Sequence, residues 1–281
     1  MSEYKRDLGL KESVAIVISR IIGSGIFRTP APIMALVGCT SLFGLVWVIG
    51  GIITIFGAVI YAELTAMLPK AGGPYIFLKE AYGPYIAFIR GCAMFFVSET
   101  ASIVAVALVF TEYLNAIWEI TMGTQFNLPV TFVISLITIW GLTGINLFGV
   151  SMSGKFQVIF STIKVGAVGA IIGMTLTSFS TGNVENFTNQ FWPETFGWET
   201  VLAIGAALRY SFFAFSGWEG ATYMAEEVKD PQRTLPLSLF LGIGGVTLLY
   251  IGTNLGYLYQ LNVQEIIKNK WVATAALKVV L

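Results

Sequence analysis

About seven stretches of this 281-residue sequence are each long and apolar enough to cross a lipid bilayer, and that repetition constrains the fold more than any other feature. A spanning helix needs about 20 largely apolar residues, because the hydrocarbon layer is about 30 Å thick and a helix rises about 1.5 Å per residue. The stretches run from Ser13 to Val37, Leu42 to Leu68, Tyr85 to Trp118, Leu128 to Val150, Phe156 to Phe179, Thr200 to Val228 and Leu235 to Tyr259. An all-α integral membrane protein follows, because only helices satisfy their own backbone polar groups along a single spanning segment.

Composition narrows the chemistry. Only 11% of residues are charged and 56% are hydrophobic, against about 25% charged in soluble domains. With 16 Lys+Arg balancing 16 Asp+Glu, no long-range field points to nucleic acid. Histidine is absent, which removes imidazole metal sites, Ser-His-Asp triads and the usual proton relay. Cys39 and Cys92 have no CxxC spacing and read as packing residues. No Walker lysine motif is present. These absences argue against an enzyme, a metal centre or a bound cofactor.

Charge placement orients the chain. Lys5, Arg6, Lys11, Lys70, Lys79, Arg90, Lys155, Lys229 and Arg233 fall on one side, and only Lys268 and Lys270 on the other. The positive-inside rule then puts the N-terminus in the cytoplasm. The N-terminal residues lack a basic region followed by a short apolar core, so no cleaved signal peptide is expected. The stretch from Ser180 to Glu199 holds acidic residues but no Lys or Arg, as suits the external side. It contains a glycosylation sequon at Asn186, a pattern common by chance.

Two spans are interrupted. The first carries Gly23-Ser24-Gly25 between Arg20 and Arg28, with Pro30 and Pro32 following. The sixth carries Ser216-Gly217-Trp218-Glu219-Gly220. Glycine destabilises a helix interior by about 1 kcal/mol and lets the backbone leave helical angles. A break at membrane depth survives only where protein, water or ligand satisfies the freed N–H and C=O groups. Taken alone, Gly-Ser-Gly reads equally well as a small-residue helix contact. Two breaks five spans apart match the pattern of inverted-repeat transporters, whose half-helix ends face one midplane site. Such a pair suits a zwitterion, with N–H groups for a carboxylate and carbonyls for an ammonium.

The motifs IIGSGIF (Ile21 to Phe27), YAELTAMLPKAGGPYIFLKEAYGP (Tyr61 to Pro84) and FFAFSGWEGATYMAEEVKDPQRTLP (Phe212 to Pro236) resemble the amino acid-polyamine-organocation superfamily. The resemblance covers nearly the whole chain and is closest to the L-type amino acid transporter branch. It implies a LeuT-like inverted-repeat fold and a secondary-active amino acid permease working by exchange or symport. It further implies a substrate carboxylate on the N–H groups of Ser24 and Gly25, with Gly23 also at the substrate site. The α-amino group would lie on carbonyls near Ile21 and around Phe213 to Ser216, with Gly217 also at the site and Phe213 and Trp218 lining or gating the pocket. Packing against lipid or core is the ordinary alternative for those two rings.

Lys164 lies where related transporters carry a lysine on the fifth helix in place of a sodium ion, which implies sodium-independent transport. It is either a proton carrier or a fixed cation. At Glu219 the L-type pattern has an amide, and the GWE triplet instead resembles fungal methionine permease relatives. Its carboxylate would bind a substrate ammonium, carry a proton or bond loose backbone N–H groups. Arg28 reads as an interfacial, snorkelling side chain, and Arg20 as a partner for Glu226 or Glu227. Pro69, Pro74 and Pro84 read as turn residues. Neutral, moderately large amino acids, methionine among them, are the expected substrates.

The expected organisation is a cytoplasmic segment (1–12), a first five-helix repeat (13–179), an external loop (180–199) and a partial second repeat (200–281) in a multi-pass plasma-membrane protein. The chain ends inside an apolar run about 11 residues long, too short to span, so a truncated transporter is expected; the alternative is a transport-inactive or regulatory relative. The segment from Glu119 to Asn127 has no cysteine, which argues against a disulfide-linked heavy chain.

Overall fold

In lipid the backbone of each apolar run has no partner but itself, and the runs accordingly form helices whose ends fall at proline and glycine. The computed structural model describes residues 8–68, 70, 72–147 and 150–281, without the side chains of residues 146, 150–158 and 224. Lys5, Arg6 and Pro69, and the side chain of Lys155, lie outside the described residues.

The first span is three pieces: α1 (Leu10–Ile21), α2 (Gly25–Arg28) and α3 (Pro30–Val37). Then come α4 (Thr40–Met67), α5 (Pro74–Tyr82), α6 (Pro84–Ala93), α7 (Glu99–Met122), α8 (Leu128–Leu147), α9 (Val150–Thr177) and α10 (Glu185–Thr188). The chain continues with α11 (Trp198–Phe215), α12 (Pro231–Gln260), α13 (Val263–Lys268) and α14 (Val272–Val280). Proline at the first position starts α3, α6 and α12, where its missing N–H costs nothing. Left-handed Gly38 and Gly123 end α3 and α7, as is usual for a helix C-terminus.

Among the described residues, six helices are long and apolar enough to cross a membrane by length and composition. With the broken first span, this makes the chain a multi-pass, all-α integral membrane protein. Two expected spans differ in detail. The third runs through a π-helical turn at Met94–Ser98. The sixth is α-helical only to Phe215, and from Trp218 to Glu227 it is a 3-10 helix. Gly217, at φ 101°, turns the chain out of the α-helix at that point.

The chain divides into two compact units, one of residues up to Gly73 with Phe160–Leu281, the other Pro74–Ile159. In the first, α12 lies along α4 and α1, and α11 packs on α4 and α3. Small residues bring these helices close: Gly51 faces Thr247, and Gly242 faces Val17, the packing expected where lipid supplies no hydrophobic drive. In the second unit, Thr111 on α7 and Ser135 on α8 share a 2.9 Å hydrogen bond.

The loop before α11 caps the start of α4. Thr40 N–H donates to Gln190 O at 3.1 Å, Ser41 N–H to Phe191 O at 3.1 Å, and Thr40 Oγ1 to Phe187 O at 2.9 Å. These bonds satisfy donors that a helix N-terminus leaves free. They also seat Asn186 in a buried position, so the sequon is not displayed. Cys39 is buried and Cys92 half-buried, both as free thiols. The last helix, α14, is nine residues long and too short to span.

Candidate functional site

At the first break, Ile22 turns to φ −68°, ψ 101° and ends α1. Ile18 O keeps its regular helical bond from Ile22 N–H at 2.9 Å, but the carbonyls after it, which a continuous helix would have paired, find partners elsewhere. Ser19 O accepts the Lys164 ammonium at 3.3 Å, and Ile21 O accepts the Tyr250 hydroxyl at 3.1 Å. Arg20 O faces Gly217, where a Cβ would stand 2.8 Å away.

Beyond the break the helix restarts. Ser24 O accepts Phe27 N–H at 3.3 Å and Arg28 N–H at 3.2 Å. Thr29 keeps right-handed angles, so α2 leads directly into α3. The N–H groups of Gly23, Ser24 and Gly25 have no hydrogen-bond partner among the described residues. They are successive donors at the start of a half-helix, the arrangement that attracts an anion.

The sixth-span break mirrors this. Ser216 takes extended angles (ψ 156°) after Phe215, and Phe213 O accepts both Ser216 N–H at 3.3 Å and Ser216 Oγ at 2.8 Å. Ala214 O lies 3.0 Å from the Tyr250 hydroxyl. One side chain of α12 thus serves carbonyls of both breaks. Tyr250 is fully buried, with Trp47 edge-on at 5.6 Å and Phe215 at 5.1 Å between ring centroids.

The breaks touch directly. A Cβ on Gly25 would come within 2.6 Å of Ala214 Cα and 3.0 Å of its Cβ, and the Arg20 side chain lies against Gly220. Ile21, Gly23, Ser24, Gly25, Ser216 and Gly217 therefore gather at one locus, with Lys164 one turn away on Ser19. The Phe213 ring is 60% exposed. Trp218 packs on α4, edge-on to Tyr61 at 4.9 Å and over Gly57. Glu219 is half-buried, and its carboxylate has no partner among the described residues. Arg28 lies over the Trp271 ring at 5.2 Å, and Arg209 over Tyr210 at 4.8 Å. Sequence reasoning missed Tyr250, whose only signal was a hydroxyl inside an apolar run.

The comparisons with known proteins identify the family to which this pair of touching broken spans belongs. The family model described as amino acid permease matches residues 8–280. The chain belongs to that family, and its relatives put it in the L-type branch. It is 32% identical over 273 residues to b(0,+)-type amino acid transporter 1 of Mus musculus, covering 97% of this chain and 55% of that protein. It is 30% identical over 274 residues to the cystine/glutamate transporter of Homo sapiens, covering 96% and 53%. It is 30% identical over 270 residues to large neutral amino acids transporter small subunit 2 of Mus musculus, covering 96% and 50%. The chain spans about half the length of the curated relatives it matches.

Proposed function

We propose that this chain carries the amino acid site of a secondary-active permease, with the substrate held between the breaks of the first and sixth spans. The observation that carries the reading is the run of N–H groups at Gly23, Ser24 and Gly25 without a partner among the described residues, beside carbonyls of Ile21 and Ala214. The substrate carboxylate takes the N–H groups, and its ammonium takes the carbonyls. The Tyr250 hydroxyl has one proton to share between those carbonyls, and each carbonyl has two lone pairs, so acceptor capacity remains for the ammonium. Ser216 and Gly217 shape the second wall, with Phe213, Trp218 and Glu219 at its edges. A neutral, moderately large amino acid, methionine among the candidates, fits this zwitterion chemistry. Transport proceeds by rocking of the helices around the site.

Lys164 acts as a fixed cation on the first span, its ammonium on Ser19 O filling the role of a bound sodium ion. Transport is then sodium-independent. The N-terminus lies in the cytoplasm of a plasma-membrane protein, the spans up to residue 179 form the first repeat, and residues 200–281 belong to the second. Association with a heavy chain would not run through a disulfide in the segment 119–127, which lacks cysteine. Uptake of labelled neutral amino acids into proteoliposomes tests the ion requirement. Equal uptake after replacing all sodium with choline is expected, with Lys164→Ala strongly reducing it; uptake that demands sodium would refute the assignment of Lys164.

A further inference from the structure

Away from the breaks, a cleft of about 680 Å³ opens between α4 and α12, within the usual range for a small-molecule site of about 300–1,000 Å³. Ala58 and Ala62 form its floor, both buried and too short to fill it. Ile55, Val59, Leu237 and Phe240 form apolar walls. One end is polar, with Glu63, Gln232 and Arg233. Glu63 lies one turn before the end of α4 and Arg233 in the first turn of α12. The polar end therefore meets the membrane surface and the apolar walls reach inward. From Glu63 to Ile55 is about 12 Å at about 1.5 Å per residue.

Two charged groups at that end lack partners among the described residues, and a backbone carbonyl there has lost its regular one. Neither the Glu63 carboxylate nor the Arg233 guanidinium has a hydrogen bond or ion pair among the described residues. Pro236 lies inside α12 and has no N–H, so the carbonyl of Gln232 loses the partner that a regular helix would give it. Charges and bare carbonyls at a hydrocarbon boundary are costly unless something pairs with them. The set is one cation and two acceptors above an apolar slot.

We propose that this cleft binds an aminophospholipid of the phosphatidylethanolamine class. The phosphate lies on Arg233, whose planar fork matches its oxygens. The ammonium donates to Glu63 and to Gln232 O, and one acyl chain follows the apolar walls. A choline headgroup carries no N–H for those acceptors. A phosphatidylglycerol headgroup brings its phosphate beside Glu63 with no cation to offset that carboxylate.

The full chain, purified in mild detergent from a membrane of mixed lipids, is analysed by native mass spectrometry and lipid extraction. Phosphatidylethanolamine should be enriched several-fold over the bulk membrane on the wild type. Arg233→Gln, Glu63→Gln and the cleft-filling Ala62→Leu should each abolish the enrichment. If Ala62→Leu fails to fold, Arg233→Gln, at an exposed position, still decides the matter. Equal retention of phosphatidylcholine or phosphatidylglycerol would overturn the proposal. So would unchanged lipid on the variants, or a lipid-free protein in which a second copy occupies the cleft.

Discussion

Gly23 and Gly25 are two residues apart and differ in what they can tolerate. A Cβ on Gly25 would press on the Ala214 backbone at 2.6 Å, whereas one on Gly23 would meet only Ile21 O at 3.9 Å. Gly25→Ala should therefore overpack the contact between the broken spans and cost about 1–3 kcal/mol, lowering the thermal midpoint in detergent. Gly23→Ala should leave that midpoint nearly unchanged while raising the substrate KM, because its methyl enters the space beside the free N–H groups. Equal destabilisation by the two would contradict the described packing. A bulky residue at Gly25 is thus a poor probe of substrate binding. Tyr250 shows where single-residue reading stops. A tyrosine in the run from Leu248 to Gln260 looks like ordinary apolar packing, and its partners at Ile21 and Ala214 lie 229 and 36 residues away.

At the scale of elements, both breaks were legible because glycine and serine interrupt otherwise unbroken apolar runs, and the structure breaks the helices at Ile22–Ser24 and Ser216–Gly217. The form of the segment after the second break was not. Hydropathy reads the same for α and 3-10 geometry, and the choice rests on Gly217 at φ 101° and its contact with Arg20 O. Gly217→Ala should cost about 2 kcal/mol, since a left-handed angle alone costs a side chain about 1–2 kcal/mol. Gly220→Ala should cost less, because its neighbour is the far end of the flexible Arg20 side chain. Thermal midpoints of the two variants check the order, and the reverse order would remove Gly217 as the fixed point of the break. The π-helical turn at Met94–Ser98 has no counterpart in the hydropathy pattern. Arg28 illustrates the same limit: its place over Trp271 depends on a residue 243 positions away.

At the scale of the whole molecule, repetition of apolar runs was enough to give an all-α membrane protein, and the family match over residues 8–280 agrees with the motifs that carried the resemblance. The candidate site draws on α1, α2, α9, α11 and α12, all at positions within one compact unit. A substrate bound there must present a carboxylate and an ammonium together. The most direct test is binding of a neutral amino acid to the purified chain, measured against two analogues of the same side chain, one lacking the carboxylate and one lacking the amine. The account predicts that the amino acid binds and that either deletion weakens binding by at least about tenfold, the equivalent of about 1.4 kcal/mol. An analogue without its carboxylate that bound as tightly as the amino acid would contradict the central role of Gly23, Ser24 and Gly25.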